Sequence, residues 1–319
     1  MLHIVLLIAS AAAIYFSCEL FVNAVEHLGR LLKVGTLAVG TVLAAIGTAL
    51  PESVVTGVAV TQGHTDDIGI GAALGGPLVL GTLAYAVVGV TLLVRRRPLP
   101  HIDTTRLGRD QLWFLLIFAV KIGLGLIAFA WKPWLGLVFF AVYVAYVVTE
   151  LRAEHDDEEA ELEPLRLGGS AAPGMPVVLV QTVAMLAVVF VASQVFVDQL
   201  SWAGPELGLS AAVTALLLAP VATELPEVMN ALIWVRQGKS QLALSNISGS
   251  MMVQATVPSG LGILFTSWDL GGPLLLSAAA TAAAVIFLLV VLTKSWLGAR
   301  TLAAAGAFYF AFAVLLGLV

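Results

Sequence analysis

The chain has 319 residues, of which 60% are hydrophobic and only 11% charged, and its mean hydropathy is +1.02; no ordinary water-soluble surface can be assembled from such a composition, so it reads as an integral membrane protein. A single cysteine, Cys18, excludes an internal disulfide and a thiolate metal cluster, and five histidines scattered singly, without HExxH spacing, give no catalytic metal motif. The net charge of −5 comes mostly from one acidic stretch, and no nucleic acid, cofactor or obligate protein partner is expected.

In chain order, windows of about 20 apolar residues predict membrane helices over 3–26, 36–61, 68–94, 111–130, 133–150, 176–200, 210–235, 241–266, 273–293 and 299–318, ten in all. The opening "MLHIVLLIASAAAIYF" has the apolar core of a signal peptide but no basic segment before it, and reads as a mature first helix. The second span contains "AAIGTALPESVVTGV" (44–58), which puts a glutamate beside a proline where hydration is least available. The fourth carries Lys121 near its middle, in "FLLIFAVKIGLGLIAF". After the fifth comes "EHDDEEAELE", which lacks the glycine and alternating ligands of an EF-hand loop and reads as a solvated linker. The seventh contains "APVATELPEVMNALI" (219–233), the same oddity again. Trp113, Trp131, Trp134, Trp202 and Trp268 fall at span ends and read as interfacial anchors.

Orientation follows from the basic residues. With ten spans, thirteen of the fifteen Lys and Arg residues fall in loops on one side, leaving only Lys121 in a span and Lys132 on the other. By the positive-inside rule that side is cytoplasmic, which puts both termini on the non-cytoplasmic side of the cell (inner or plasma) membrane.

The chain also repeats itself. Glu227 stands 175 residues after Glu52, and at that offset "ELFVNAV" (19–25) falls on "QVFVDQL" (194–200) and "GTALPE" (47–52) on "ATELPE" (222–227). One residue is then lost, and "GAALGGPLVLGT" (71–82) falls on "SNISGSMMVQAT" (245–256). Five spans per half force the two halves into opposite orientations, the inverted-repeat plan of secondary transporters. The expected organisation is a first repeat over 1–150, an acidic cytoplasmic linker over 151–174 and a second repeat over 175–319.

A proline within a helix has no N–H for the carbonyl four residues back, so Pro51 would release the carbonyl of Gly47 and Pro226 that of Ala222. Thr48 and Glu52 lie one turn apart, as do Thr223 and Glu227, placing hydroxyl and carboxylate on one face beside loosened backbone. Carboxylate, hydroxyl and carbonyl oxygens together suit hard cations such as Ca²⁺ and Na⁺. Carboxylates in hydrocarbon require a cation or proton as companion.

On these residues the sequence resembles the calcium/cation antiporters typified by sodium/calcium exchangers, whose two repeats each carry Gly-Thr-Ser-Leu-Pro-Glu followed by Gly-Asn-x-x-Gly-Ser-Asn. The resemblance covers nearly the whole chain. It implies alternating access by ten helices, with the paired acidic ligands at Glu52 and Glu227 and the motif threonines at Thr48 and Thr223. The motif serine is Ala49 in the first repeat and Glu224 in the second; the downstream serine is Gly76 and Ser250; the later polar ligand is Leu80 and Gln254. The first repeat has lost oxygens and the second has gained a carboxylate. A proton needs only a carboxylate where Na⁺ needs several oxygens, so protons are expected to replace at least some Na⁺, unless Glu224 bonds a neighbouring helix instead. Lys121 has two readings: a partner to a site carboxylate standing in for a monovalent cation, or an ammonium bonded to carbonyls in the bundle. The expected activity is exchange of Ca²⁺ or another divalent ion for Na⁺ and/or H⁺, inorganic cations and the lipid bilayer being the only partners. The alternative is a degenerate, non-transporting relative acting as a cation sensor or partner-binding protein; an enzyme is not expected.

Overall fold

Backbone groups in hydrocarbon must be bonded within their own segment, so a chain this apolar builds helices. The structure, a computed structural model, describes residues 2–49, 53, 66–99, 102–152, 162–206, 208 and 214–317, and no strand occurs among them. The helices are α1 (Leu2–Leu31), α2 (Val39–Ala49), α3 (66–94), α4 (Thr104–Leu124), α5 (Lys132–Arg152), α6 (Met175–Glu206), α7 (Leu216–Thr223), α8 (Leu225–Arg236), α9 (Ser240–Phe265), α10 (Gly272–Thr293) and α11 (Ala299–Leu316).

Among the described residues six helices are individually long and apolar enough to cross a bilayer: α1, α3 from Ala73 on, α5, α6, α10 and α11. The pair α7 and α8, bent by 53° at a break between them, passes the same test only when taken together. α9 misses that standard because it is rich in Ser, Asn and Gln, yet it is buried along almost its whole length and has no lipid to face. α1 and α6 pack on each other and turn Ile4, Ile8 and Phe16, and Val180, Val183 and Val191, outward, the pattern of a lipid-facing surface.

α4 corrects the predicted fourth span. It starts at Thr104 rather than 111, capped by Asp103, whose carboxylate accepts from the N–H of Arg106 (2.9 Å), and it ends at Leu124 rather than 130. The polar run Arg106–Gln111 looks like a loop on hydropathy alone, but its partners lie inside the bundle. Glu150, in the last turn of α5 and almost wholly buried, accepts from Arg106 Nε (3.1 Å) and Nη2 (2.6 Å), from Arg109, and from Thr41 Oγ1 on α2 (3.1 Å). Gln111 donates to Tyr85 Oη (2.7 Å) and Ser248 Oγ (3.1 Å). Trp268 is a second correction: it is fully buried, donating from Nε1 to the Lys121 carbonyl (2.9 Å), so it is no interfacial anchor.

The end of the linker bonds to the helices, with Leu165 buried and Glu163, Arg166 and Leu167 still exposed. His27 Nε2 meets the Glu163 carbonyl (2.9 Å), the Arg166 N–H donates to Asn23 Oδ1 (2.9 Å), and the Leu167 N–H donates to Gln181 Oε1 (2.8 Å), so residues 163–167 lie across α1 and α6. Residues 153–161 of the acidic run lie outside the described residues.

Wide, π-helical turns interrupt three helices, at Val39–Ala44, Leu80–Ala84 and Thr214–Leu218. Shifted by the repeat offset of 175 residues, the first overlaps the described part of the third. Such turns disturb the regular carbonyl ladder and cluster at functional sites; here Tyr309 Oη on α11 donates to the Leu217 carbonyl (2.6 Å). Against the π turn of α2 lies Gly249 of α9, where an added Cβ would stand 2.6 Å from Thr41 Cα. Backbone cannot yield as a flexible side chain can. Gly249→Ala is therefore expected to destabilise the fold by about 1–3 kcal/mol, the range for overpacking a tight contact, read as a lower melting temperature of the purified protein.

Candidate cation site

The second Leu-Pro-Glu sequence breaks its helix two residues before its proline. Glu224 (φ −84°, ψ 2°) is the junction between α7 and α8; its N–H donates to the Pro220 carbonyl (3.0 Å) and its carbonyl accepts from the Val228 N–H (3.1 Å). Pro226 thus sits in the first turn of α8, where a missing N–H costs nothing. Cys18 Sγ of α1 donates to the Pro226 carbonyl (3.7 Å). Glu227 also lies in that first turn, so the positive end of the helix dipole favours its negative charge.

Glu227 is 1% exposed, and buried polar residues lie near it along α8 and on α9. Asn230, one turn further along α8, is wholly buried, and neither its amide oxygen nor its amide nitrogen has a hydrogen-bond partner. On α9, Asn246 donates from Nδ2 to the Glu227 carbonyl (3.5 Å), while its Oδ1, and Oγ of Ser250 one turn away, are likewise unbonded. Each such orphan costs about 1–3 kcal/mol when buried. Carboxylate, amide and hydroxyl oxygens together are the donor chemistry of a hard cation.

Glu224 makes a different contact. Gln254 Nε2 of α9 donates to its Oε1 (2.6 Å), and Gly76 of α3 leaves the room for both: a Cβ at residue 76 would overlap Glu224 Oε1 and stand 2.8 Å from Gln254 Cδ. The side chain missing from the first repeat and the longer one in the second therefore fill the same volume. The bond to a neighbouring helix, one of the two readings for Glu224, is formed.

The remaining sequence candidates divide clearly. Thr48 is buried and its Oγ1 donates to the Ala44 carbonyl (3.1 Å); Thr223 Oγ1 donates to the Pro220 carbonyl (3.2 Å); Ala222 is fully buried, and Gly47 packs against Phe21. Glu52 and Pro51 lie outside the described residues, and with them the release of the Gly47 carbonyl. Lys121 is fully buried and bonds to a carbonyl and a hydroxyl, Ala73 O (2.8 Å) and Ser259 Oγ (3.1 Å), with no ion pair among the described residues. Asn230, Asn246 and Ser259 were not among the sequence candidates. Spacing points to the first two, since Asn230 follows Glu227 by one turn and Asn246 precedes Ser250 by one. No group of three His, Cys, Asp or Glu that could hold a metal occurs among the described residues.

The sequence profile described as "Sodium/calcium exchanger protein" matches residues 2–152 and 177–319. The chain belongs to the sodium/calcium exchanger family. It is thereby a member of the calcium/cation antiporter superfamily, a group of membrane transporters rather than enzymes. Relatives of this exchanger chain include the inner membrane protein YrbG of Escherichia coli, 26% identical over 273 residues that cover 83% of this chain and 80% of YrbG. The putative antiporter CaxA of Alkalimonas amylolytica is 27% identical over 78% of this chain and 76% of its own length. The sodium/calcium exchanger MaX1 of Methanosarcina acetivorans is 32% identical, over 44% of this chain and 39% of its own. Among solved structures, the sodium-calcium exchanger NCX_Mj superposes with a TM-score of 0.75 at 21% identity, covering 97% of both chains, so the exchanger fold is shared.

Proposed function

We propose that the chain exchanges Ca²⁺, or another divalent cation, for Na⁺ and/or H⁺ by alternating access, with both termini on the non-cytoplasmic side of the cell membrane. The observation that carries this reading is Glu227, a buried carboxylate at a helix break, where two packed helices also carry the buried, unbonded oxygens of Asn230, Asn246 and Ser250. In this reading ten spans form two inverted halves, 1–150 and 175–319 joined by a cytoplasmic linker at 151–174, and Glu52 with Thr48 and the Gly47 carbonyl completes the site from the first half. Thr223 and the Ala222 carbonyl contribute from the second, with Glu224, Ser250 and Gln254 lining it. The π turn at Val39–Ala44, shifted by 175 residues, overlaps the one described at Thr214–Leu218, which supports the repeat.

Glu52 and Glu227 would share one divalent ion, which two counter-ions must replace before the empty carrier can return. Gly76, Ala49 and Leu80 offer no side-chain oxygen on the first-half side. A proton requires only the carboxylate, so H⁺ supplies part of the counter-flow.

Purified protein in liposomes loaded with a Ca²⁺-sensitive dye tests the proposal. Ca²⁺ should move when an outward Na⁺ or H⁺ gradient is imposed, and should stop when that gradient is collapsed with an ionophore. Binding of Ca²⁺ with no gradient-driven flux would favour the second reading, a non-transporting cation sensor, which the oxygen-poor first repeat motivates.

A further inference from the structure

Two prolines inside helices free two carbonyls, and both are already taken. Pro77 in α3 has no N–H for the Ala73 carbonyl, and Pro258 in α9 has none for the Gln254 carbonyl. Lys121 Nζ donates to Ala73 O (2.8 Å) and Ser259 Oγ donates to Gln254 O (3.1 Å). Ser259 Oγ also accepts from Lys121 Nζ (3.1 Å), tying the two carbonyls together through one ammonium. The Phe118 ring lies 4.9 Å from Nζ, a cation–π distance. Trp268, packed on Gly262, holds the Lys121 carbonyl, so the residue is fixed at its backbone as well as its tip.

Proline-freed carbonyl, hydroxyl and aromatic face make a nest for a monovalent cation, and here the cation belongs to the protein. Gln254 links the same groups to a carboxylate: its backbone carbonyl accepts from Ser259, and its side-chain amide donates to Glu224 (2.6 Å). On the α3 side, Ala73 precedes Gly76, the residue packed on Glu224 and Gln254, by one turn. A buried carboxylate without a compensating charge is strongly unfavourable in hydrocarbon.

We propose that Lys121 is a tethered monovalent cation that balances Glu224 through Ser259 and Gln254, so that the charge gained in the second repeat is neutralised by the protein itself and not by a transported ion. This rests on the exchanger reading above and assigns its charge balance: Glu227, with Glu52, carries the transported cations, while Glu224 and Lys121 form a fixed pair.

The test compares wild type, Lys121→Ala, Lys121→Met, and each of these combined with Glu224→Gln, by thermal melting in detergent with NaCl or choline chloride at equal ionic strength. Lys121→Ala should acquire a saturable, Na⁺-specific stabilisation beyond any that Na⁺ gives the wild type. Adding Glu224→Gln should abolish it. Lys121→Met, which fills the nest without a charge, should melt lower than its double variant with Glu224→Gln, and that rescue stands even if the alanine variant fails to fold. In liposomes, Lys121→Met should slow Ca²⁺ exchange about tenfold or more, as expected for breaking a buried charge pair, with recovery in the double variant. Identical Na⁺ responses of wild type and Lys121→Ala, or double variants no more stable than the single ones, would overturn the proposal. Because melting does not depend on transport, absence of wild-type flux would refute the exchanger reading and leave this result separately readable.

Discussion

Glu227→Gln is expected to cut gradient-driven Ca²⁺ movement about 100-fold, because removing one charge from a buried ionic site costs about 3 kcal/mol or more. Glutamine keeps the shape and one oxygen, so packing around residue 227 should survive. What disappears is the charge, in the first turn of α8 where the backbone N–H groups favour an anion. The orphan oxygens of Asn230, Asn246 and Ser250 are neutral and cannot replace it. Glu227→Asp, which keeps the charge and retracts it by one methylene, should retain more activity than the amide. Dye-loaded liposomes give the rates and size-exclusion profiles check folding; an amide variant that exchanges Ca²⁺ at the wild-type rate would remove Glu227 from the site.

The second large effect concerns stability. Glu150→Ala is expected to destabilise the protein by about 3 kcal/mol, the lower end of the range for breaking a buried ion pair. The lower end applies because the Arg109 side chain is 38% exposed and can regain water, whereas that of Arg106 is only 12% exposed. The substitution strands the Arg106 guanidinium and removes the acceptor of Thr41 Oγ1, so three helices, α2, α4 and α5, lose their common contact at once. Thr41 lies in the π turn of α2, so the loss reaches a segment with an already irregular ladder. Glu150→Gln should lose less, since it still accepts a hydrogen bond. Melting temperatures of the purified variants measure both; an unchanged value for the alanine variant would mean that the cluster contributes nothing net.

Residue by residue, the sequence was most readable where lipid contact dictates composition. The first and sixth helices face outward with long apolar runs, and their predicted extents fall within the observed ones, Leu2–Leu31 and Met175–Glu206. The fourth was misplaced because hydropathy counts Arg106, Arg109, Asp110 and Gln111 as solvent-loving, whereas Glu150, Tyr85 and Ser248 meet Arg106, Arg109 and Gln111 inside the bundle. The break of the seventh was read at Pro226 and occurs at Glu224, since a proline is best accommodated in the first turn of the helix that follows it. Repeat matching brought out Glu227, Glu224, Ser250 and Gln254. It passed over Asn230, which has no polar counterpart in the first half, and Ser259, whose role depends on Lys121 reaching it from another helix, information no linear pattern holds.

Cys18 has a practical consequence. It is the chain's only thiol, and it is sealed where α1 meets Pro226 at the start of α8. Maleimide reagents will find nothing to alkylate while those two helices stay together, so a cysteine engineered onto the outer surface is the sole labelling target without mutating the native one. Any alkylation of Cys18 would then register a separation of α1 from the start of α8, with no engineered residue needed.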